Sequence, residues 1–276
     1  MSTASAPASS ANLGPGFDIL ALALSRRCTV TAEPADEWLI RSGNESVSEE
    51  TDAMVRAVSG EAEPHLVRIE SEIPVGRGLG SSAALLVAVA AAVGGDSDRD
   101  RLFEVASVVE GHSDNVAAAV FGGLVAVGAD GSIDRLSVHP SLHVILAVPD
   151  EVLPTVEARS VLPDVVSRAV AVRSAARLAM LVEALRTAES DSFAAALGDE
   201  MHEEPRKAIT QTPAMLIEAA LDAGSSFAAW SGAGPSVIAF ALEGTREAVA
   251  GSLEQALDGS GSVLNLDIDH EGVRFE

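Results

Sequence analysis

The stretch from Ile73 to Ala92, IPVGRGLGSSAALLVAVAAA, constrains the fold more than any other part of the chain. The segment before it, HLVRIESEI, is rich in β-branched and alternating apolar residues, which predicts a strand ending at Pro74. Glycines follow at Gly76, Gly78 and Gly80, and then an alanine-rich run from Ser81 so uniformly apolar that it predicts a buried helix. Strand, glycine loop and helix start are therefore contiguous. Glycine permits positive φ and close approach of a ligand to the main chain, while free N–H groups and the dipole at a helix N-terminus favour an anion. Phosphate is the natural occupant.

Three readings of this loop compete. A Walker A loop requires a lysine after its last glycine, and the only lysine in the chain is Lys207. Gly78, Gly80 and Ala83 satisfy the spacing GxGxxA of a dinucleotide site, but the next segment, RLFEVASVVEG, reads as helix where that motif expects a strand. The third reading is a plain turn whose helix is capped by Ser81 or Ser82.

With 276 residues the chain is long enough for two domains with real cores. A formal net charge of −23, from 18 basic and 41 acidic residues, repels nucleic acid and anionic membrane surfaces and favours a small-molecule partner. Cys28 is the single cysteine, which excludes an internal disulfide and a cysteine-built zinc site. The opening MSTASAPASSANLG lacks the charged and apolar regions of a signal peptide, and the alanine-rich run is too short to span a bilayer. A soluble, cytoplasmic protein is expected.

In chain order, SAPASSANLGPGFDILALAL, residues 5–24, reads as a loop with a turn bracketed by Asn12 and Asp18, followed by a helix or strand. CTVTAEP and EWLIRSG predict a hairpin around residues 34–37, and SEETDAMVRAVSG a helix starting at Ser48 or Glu49 and stopping at Gly60. Glu110, His112, Asp114 and Asn115 fall between two predicted helices, where Ser113 to Asn115 offer caps for the second. ADGSIDRLSVHP contains a DG turn and a closing proline, and the domain boundary is placed there, giving residues 1–138 and 139–276. The second half reads as LHVILAV, helices that include 167–188, then SFAAW, SVIAFAL, TREAVAGSLEQAL and VLNLDI. That order is βαββαβ, a ferredoxin-like arrangement with an enlarged first crossover.

Several stretches share their wording with one family. PVGRGLGSSAA resembles the phosphate-binding motif of the GHMP kinases, while PASSANLGPGFD and EGHSDNVAAAVFGG resemble motifs of the homoserine kinases within that superfamily. VPDEVLPTVEARSVLP, MHEEPRKAI and WSGAGPSVIAF are similar to three further segments of that family. Ser113 and Ala118 stand where the family has prolines, and Glu204 and Pro205 where it has proline and tyrosine.

The resemblance implies an α+β, two-domain GHMP kinase fold: an N-terminal ATP-binding domain like domain 2 of ribosomal protein S5, and the C-terminal ferredoxin-like domain. It implies an ATP-dependent small-molecule kinase that phosphorylates L-homoserine in threonine biosynthesis, with ATP as co-substrate and Mg²⁺ bound. By the same likeness Pro74, Val75, Gly76, Arg77, Gly78, Leu79, Gly80, Ser81, Ser82, Ala83 and Ala84 surround the ATP phosphates, and Ser82 and Glu110 hold Mg²⁺, with Glu104 the weaker alternative. Asn12, Asp18, His112, Asn115, Thr155, Arg159 and Arg206 fall to the substrate, and Asn12, Asn115 and Arg159 to catalysis. Asn115 occupies a position where other members of the superfamily carry a base, so direct in-line transfer is implied. Family members commonly form homodimers. The competing functions are another GHMP kinase of mevalonate or sugar type, a catalytically silent ligand-binding relative, and a nicotinamide-dependent oxidoreductase.

Overall fold

A computed structural model describes residues 1–95 and 97–275. The first half contains β1 (Ser2–Ala11), β2 (Leu20–Pro34), β3 (Leu39–Ser42), β4 (Glu45–Ser46), α1 (Glu49–Ser59), β5 (His65–Ser71), α2 (Ser81–Gly94), α3 (Arg99–Glu110), α4 (Ser113–Phe121), β6 (Leu124–Val127) and β7 (Ile133–Leu136). The second contains β8 (Leu142–Pro149), α5 (Thr155–Ser160), α6 (Arg168–Thr187), α7 (Ser190–Ala196), α8 (Glu203–Arg206), α9 (Thr212–Asp222), β9 (Phe227–Trp230), β10 (Val237–Leu242), α10 (Glu243–Leu257), β11 (Gly261–Leu266) and β12 (Arg274–Phe275). An eight-stranded sheet has the order β12-β1-β2-β5-β3-β4, with β6 also pairing β2 and β7 pairing β6. A four-stranded antiparallel sheet has the order β11-β8-β10-β9. Numbered within the second half, that order is 4-1-3-2, and the βαββαβ expectation holds. No described helix is long and apolar enough to cross a membrane.

Two expectations give way. The opening residues form β1 rather than a loop, although alanine and serine are poor strand formers. Burial explains the override: every residue from Ala4 to Ala11 is buried, with Ala4, Ala6 and Ala8 on one face sharing a core with Ala83, Ala84 and Ala88 of α2. Small side chains on both surfaces let the helix lie close to the strand. The predicted hairpin is also absent. β3 pairs parallel with β5, and β2 pairs antiparallel with that same β5, so β5 lies between the two segments. The turn at residues 34–37 therefore carries the chain past β5 instead of folding it back.

The helix boundaries follow local chemistry. Ser48 caps α1 by accepting the Thr51 N–H, and Gly60 ends that helix. Asp98 caps α3 through the N–H groups of Asp100 and Arg101. The proposed serine cap of α2 is not made: Gly80, in the left-handed region, is its N-cap, and no side chain bonds the first turn. Nor do Ser113 to Asn115 cap α4, whose N-cap is His112 without a side-chain bond.

The largest apolar cluster draws on both halves, joining Leu86 and Val87 of α2 and Leu22 of β2 to Leu146 of β8, Phe227 of β9 and Phe240 of β10. β1 to β7 all precede residue 138 and β8 to β11 follow it, while β12 returns to pair with β1. Asp269 ties this return down, pairing with Arg27 of β2 and, at 3.3 Å, with Arg274. Because α2 touches β1, β2, α1, α3 and α4, it has no free face into which a larger side chain can turn. Ala88→Leu is therefore expected to destabilise the protein by about 1–3 kcal/mol, read as a lower urea midpoint, whereas an unchanged midpoint would contradict the close helix-to-strand contact.

Candidate active site

The mouth of α2 opens on a cleft of about 610 Å³. Its first intrahelical bond runs from the Ala84 N–H to the Gly80 carbonyl, so the N–H groups of Ser81, Ser82 and Ala83 have no acceptor among the described residues. The first turn holds no acidic residue, unlike that of α1, which carries Glu49, Glu50 and Asp52. No acid within this turn thus offsets the end of the dipole, and no described group accepts its three N–H groups, which matches an incoming anion.

The loop before it is built by close backbone contacts. Gly80 has φ 62°, and a Cβ there would lie 2.1 Å from Ser9 Oγ and 3.0 Å from Asn115 Oδ1. At Gly78 a Cβ would come within 2.1 Å of the Ser231 carbonyl oxygen. Ser231 Oγ donates to the Gly78 carbonyl at 2.8 Å, the Ser9 N–H donates to the Leu79 carbonyl, and the Gly232 N–H donates to the Ala11 carbonyl. The glycine turn at residues 231–236 is a hairpin turn between β9 and β10 and also a buttress of the loop.

Facing the loop, Ser82 Oγ donates to Glu110 Oε1 at 2.7 Å, and His112 Nδ1 lies 3.9 Å from that oxygen. Glu104, by contrast, is exposed on α3 and does not line the cleft. The Asn115 amide is held at both ends: Ser9 Oγ donates to its Oδ1 at 2.8 Å, and its Nδ2 donates to Asp114 Oδ1 at 3.2 Å. One N–H of that amide remains free. Asp114 is buried, and burial pushes its carboxyl up to about 6 despite the Asn115 N–H it accepts.

The other wall carries the charged groups. Asn12 donates through Nδ2 to the Gly232 carbonyl and accepts the Asp18 N–H, so it pins the turn while lining the cleft. Arg159 of α5 forms a forked pair with Asp18 at 2.6 and 3.3 Å and lies over the Phe17 ring at 5.5 Å. Arg206 is 1% exposed and bonds the Ala158 and Gly232 carbonyls and His202 Nδ1. Since Arg206 donates to Nδ1, His202 carries its proton on Nε2, which donates to the Gly14 carbonyl at 2.9 Å. Burial holds His202 down at about 4, and burial with the neighbouring Arg159 charge lowers Arg206 to about 10. Arg206 Nη2 makes no bond to the protein among the described residues.

Of the sequence candidates, Asn12, Pro74, Val75, Gly76, Gly78, Leu79, Gly80, Ser81, Ser82, Glu110, His112, Asn115, Thr155, Arg159 and Arg206 line this one cleft. Asp18 stands behind Arg159, the Arg77 guanidinium donates to the Pro149 carbonyl, and Ala83 and Ala84 are fully buried in α2. Sequence reasoning missed Ser9, which reads as one more small residue in PASSANLG, and took Asp114 for a cap. It also missed Glu50 and Met54 of α1, which line the cleft.

Known proteins resemble this chain over nearly its whole length. The GHMP kinases N terminal domain family matches residues 47–123. A homoserine kinase of Desulfitobacterium hafniense is 34% identical over 288 residues, covering 97% of this chain and 97% of its own. One from Deinococcus radiodurans is 36% identical over 300 residues, covering 99% and 96%. The crystal structure of a homoserine kinase from Cytophaga hutchinsonii superposes with a TM-score of 0.87 at 23% identity, over 99% of this chain and 96% of that one, and shares the fold.

Glu203, next to the arginine-bearing wall, supplies a stability test. It is buried and accepts the Trp230 N–H at 2.8 Å, with Asp199, Lys207 and Arg206 as its charged neighbours, and burial pushes it up to about 8. A carboxyl that holds its proton more tightly when folded favours the fold at low pH and loses that advantage as pH rises through about 8. Wild-type stability is expected to fall between about pH 5 and pH 8.5, and Glu203→Gln, which keeps the acceptor, to flatten that slope. Parallel pH profiles of the thermal midpoint in the two proteins would refute the assignment.

Proposed function

The chain belongs to the homoserine kinase family of the GHMP kinases, and from that membership we propose that it transfers the γ-phosphoryl group of ATP to the side-chain hydroxyl of L-homoserine, yielding O-phospho-L-homoserine and ADP on the route to threonine. One observation carries this reading: the mouth of α2, with the unpaired N–H groups of its first turn, opens into the same cleft as the Asn115 amide and two guanidiniums. Anion binding and amino-acid binding thereby share one space. In this reading residues 1–138 form the nucleotide-binding domain and 139–276 the ferredoxin-like domain, with the cleft between them. The substrates are small metabolites, the site of action is the cytoplasm, and a net charge of −23 disfavours nucleic acid and anionic membranes as partners.

The main chain from Gly76 to Ala83 cradles the ATP phosphates, with Pro74 and Val75 at the loop's start. Ser82 and Glu110 fit a Mg²⁺ ion, because a hydroxyl and a carboxylate 2.7 Å apart are hard oxygen donors facing the phosphate loop. No described cluster of three or more His, Cys, Asp or Glu could hold a metal alone, so Mg²⁺ would be held by Ser82 and Glu110 together with the bound nucleotide. Bound there, Mg²⁺ neutralises phosphate charge. His112 and Thr155 border the substrate, Arg159 and Arg206 take its carboxylate, and Asp18 takes its ammonium. A zwitterion bridging the two walls would exchange the Asp18–Arg159 pair for one contact to each partner.

Asn115 orients the hydroxyl with its free N–H and cannot act as a base, so most of the rate comes from positioning and electrostatics. Asp114 carries the second reading. It is buried at the cleft wall and titrates at about 6, which suits a general base. Direct transfer predicts no limb near pH 6 in the kcat profile, while base catalysis by Asp114 predicts a limb that Asp114→Asn abolishes.

A coupled ADP-release assay across homoserine, serine, threonine, mevalonate and galactose tests the activity itself, with turnover expected on homoserine. Ligand binding without ADP release would indicate a silent relative. Arg159→Ala is expected to raise KM for homoserine by roughly tenfold or more with KM for ATP nearly unchanged, since only one substrate meets that side chain. Equal loss for both substrates would remove Arg159 from the amino-acid site.

A further inference from the structure

Ser9 lies in β1 opposite Ala23 of β2 and is 0% exposed, so no ligand in the cleft touches it. Its main-chain N–H donates to the Leu79 carbonyl of the glycine loop at 3.1 Å, and its hydroxyl donates to Asn115 Oδ1 at 2.8 Å. One residue of the sheet therefore ties the loop to the amide across the cleft wall. Among the described residues the hydroxyl has no other partner. Ser10, just as buried, gives the contrast, because its Oγ bonds nothing.

A carboxamide turns end for end at little cost unless its neighbours distinguish oxygen from nitrogen. Both neighbours of Asn115 do so. Asp114 Oδ1 is an acceptor and takes a hydrogen from Nδ2 at 3.2 Å, while Ser9 offers its hydrogen to Oδ1. Turned over, the amide would trade the Asp114 bond for a contact between two acceptors. Gly80 packs on the same pair, so closely that a Cβ there would lie 2.1 Å from Ser9 Oγ and 3.0 Å from Asn115 Oδ1. Without the Ser9 hydroxyl the amide would be held at its nitrogen end alone.

We propose that Ser9 is a positioning residue for phosphoryl transfer: it fixes the Asn115 carboxamide relative to the glycine loop, so that the free N–H of that amide faces the substrate hydroxyl. On the kinase reading, on which this assignment rests, the loop holds the donor and Asn115 the acceptor, and Ser9 sets the alignment between them. A buried residue acting in this way changes the alignment of a bound pair and not the binding of either member, so its loss falls on kcat.

The test compares Ser9→Ala, Ser10→Ala, Asn115→Ala and the double variant Ser9→Ala/Asn115→Ala in the full chain, by ADP release with homoserine and ATP. Ser9→Ala is expected to lower kcat by about tenfold, roughly the worth of one hydrogen bond, with both KM values held within about twofold. In the Asn115→Ala background the same change should cost less than about twofold, since its partner is gone. Ser10→Ala, the same truncation at the next residue, should match the wild type. A second readout needs no turnover. The chain holds only four asparagines and two glutamines, so few side-chain amide signals appear in a ¹⁵N spectrum, and Asn115→Ala identifies the Asn115 pair. Ser9→Ala should shift that pair and speed its exchange with water, and Ser10→Ala should leave it in place. An Asn115 pair unmoved in Ser9→Ala overturns the assignment. So does a kcat loss that persists in full without Asn115, or one that Ser10→Ala reproduces. A wild type that releases no ADP sinks the kinase reading itself and takes this assignment with it.

Discussion

The first turn of α2 is left electrically unfinished, and the rest of the site is arranged to keep it so. A single acid in that turn, of the kind α1 and α3 both carry, would fill the mouth of the helix from within the chain. Its absence leaves three N–H groups for an outside oxygen, at a stability cost the fold must offset elsewhere. The offset comes from packing. α2 is apolar all round because strands lie on one side of it and helices on the others, and the alanines of β1 are the counterpart that lets it approach closely. A large residue on either surface would move the helix and hence its mouth. The composition of two elements far apart in sequence is thus tied to the position of one helix mouth.

The same closeness explains why β1 was illegible. Strand propensity is largely a preference for a pleated, half-buried surface that large side chains can cover, whereas here the surface is covered by another backbone. STASAPASSA therefore reads as loop. The hairpin between Cys28 and Gly43 failed for a different reason: alternation marks strands but does not say which neighbour they choose, and β5 arrives later in the chain to separate them. Local signals did better where the physics is local. The Ser48 cap and Gly60 stop, the glycine loop and the βαββαβ order each depend on residues close in sequence. The cleft's polar residues were legible through their motifs, but Ser9 was not, because its role at Asn115 is created by a contact spanning 106 positions.

The wall that carries Arg159 and Arg206 shows how the fold stores unbalanced charge. Arg206 is buried on carbonyls and a neutral imidazole, none of which cancels a full positive charge, and Arg159 is the neighbouring charge that most disfavours its protonated form. Two guanidiniums thus converge on one space, where Asp18 is paired with Arg159 and where Asp18, Asp199 and Glu203 act on Arg206 only through space. A carboxylate placed between the arginines relieves both, in a setting where low dielectric strengthens the contact. Phe17 keeps the geometry, lying under Arg159 and Arg206 and stacking on His202 at 5.0 Å. A ligand without a carboxylate or similar anionic group gains nothing from the two guanidiniums, so the wall favours such a group before any hydrogen bond is counted. On the proposed function the phosphates would lie against main-chain amides at the far end of the cleft and the carboxylate against the side-chain cations here, an arrangement that would keep the two anions of the substrate pair apart and bring only the hydroxyl, beside Asn115, to the γ-phosphoryl group.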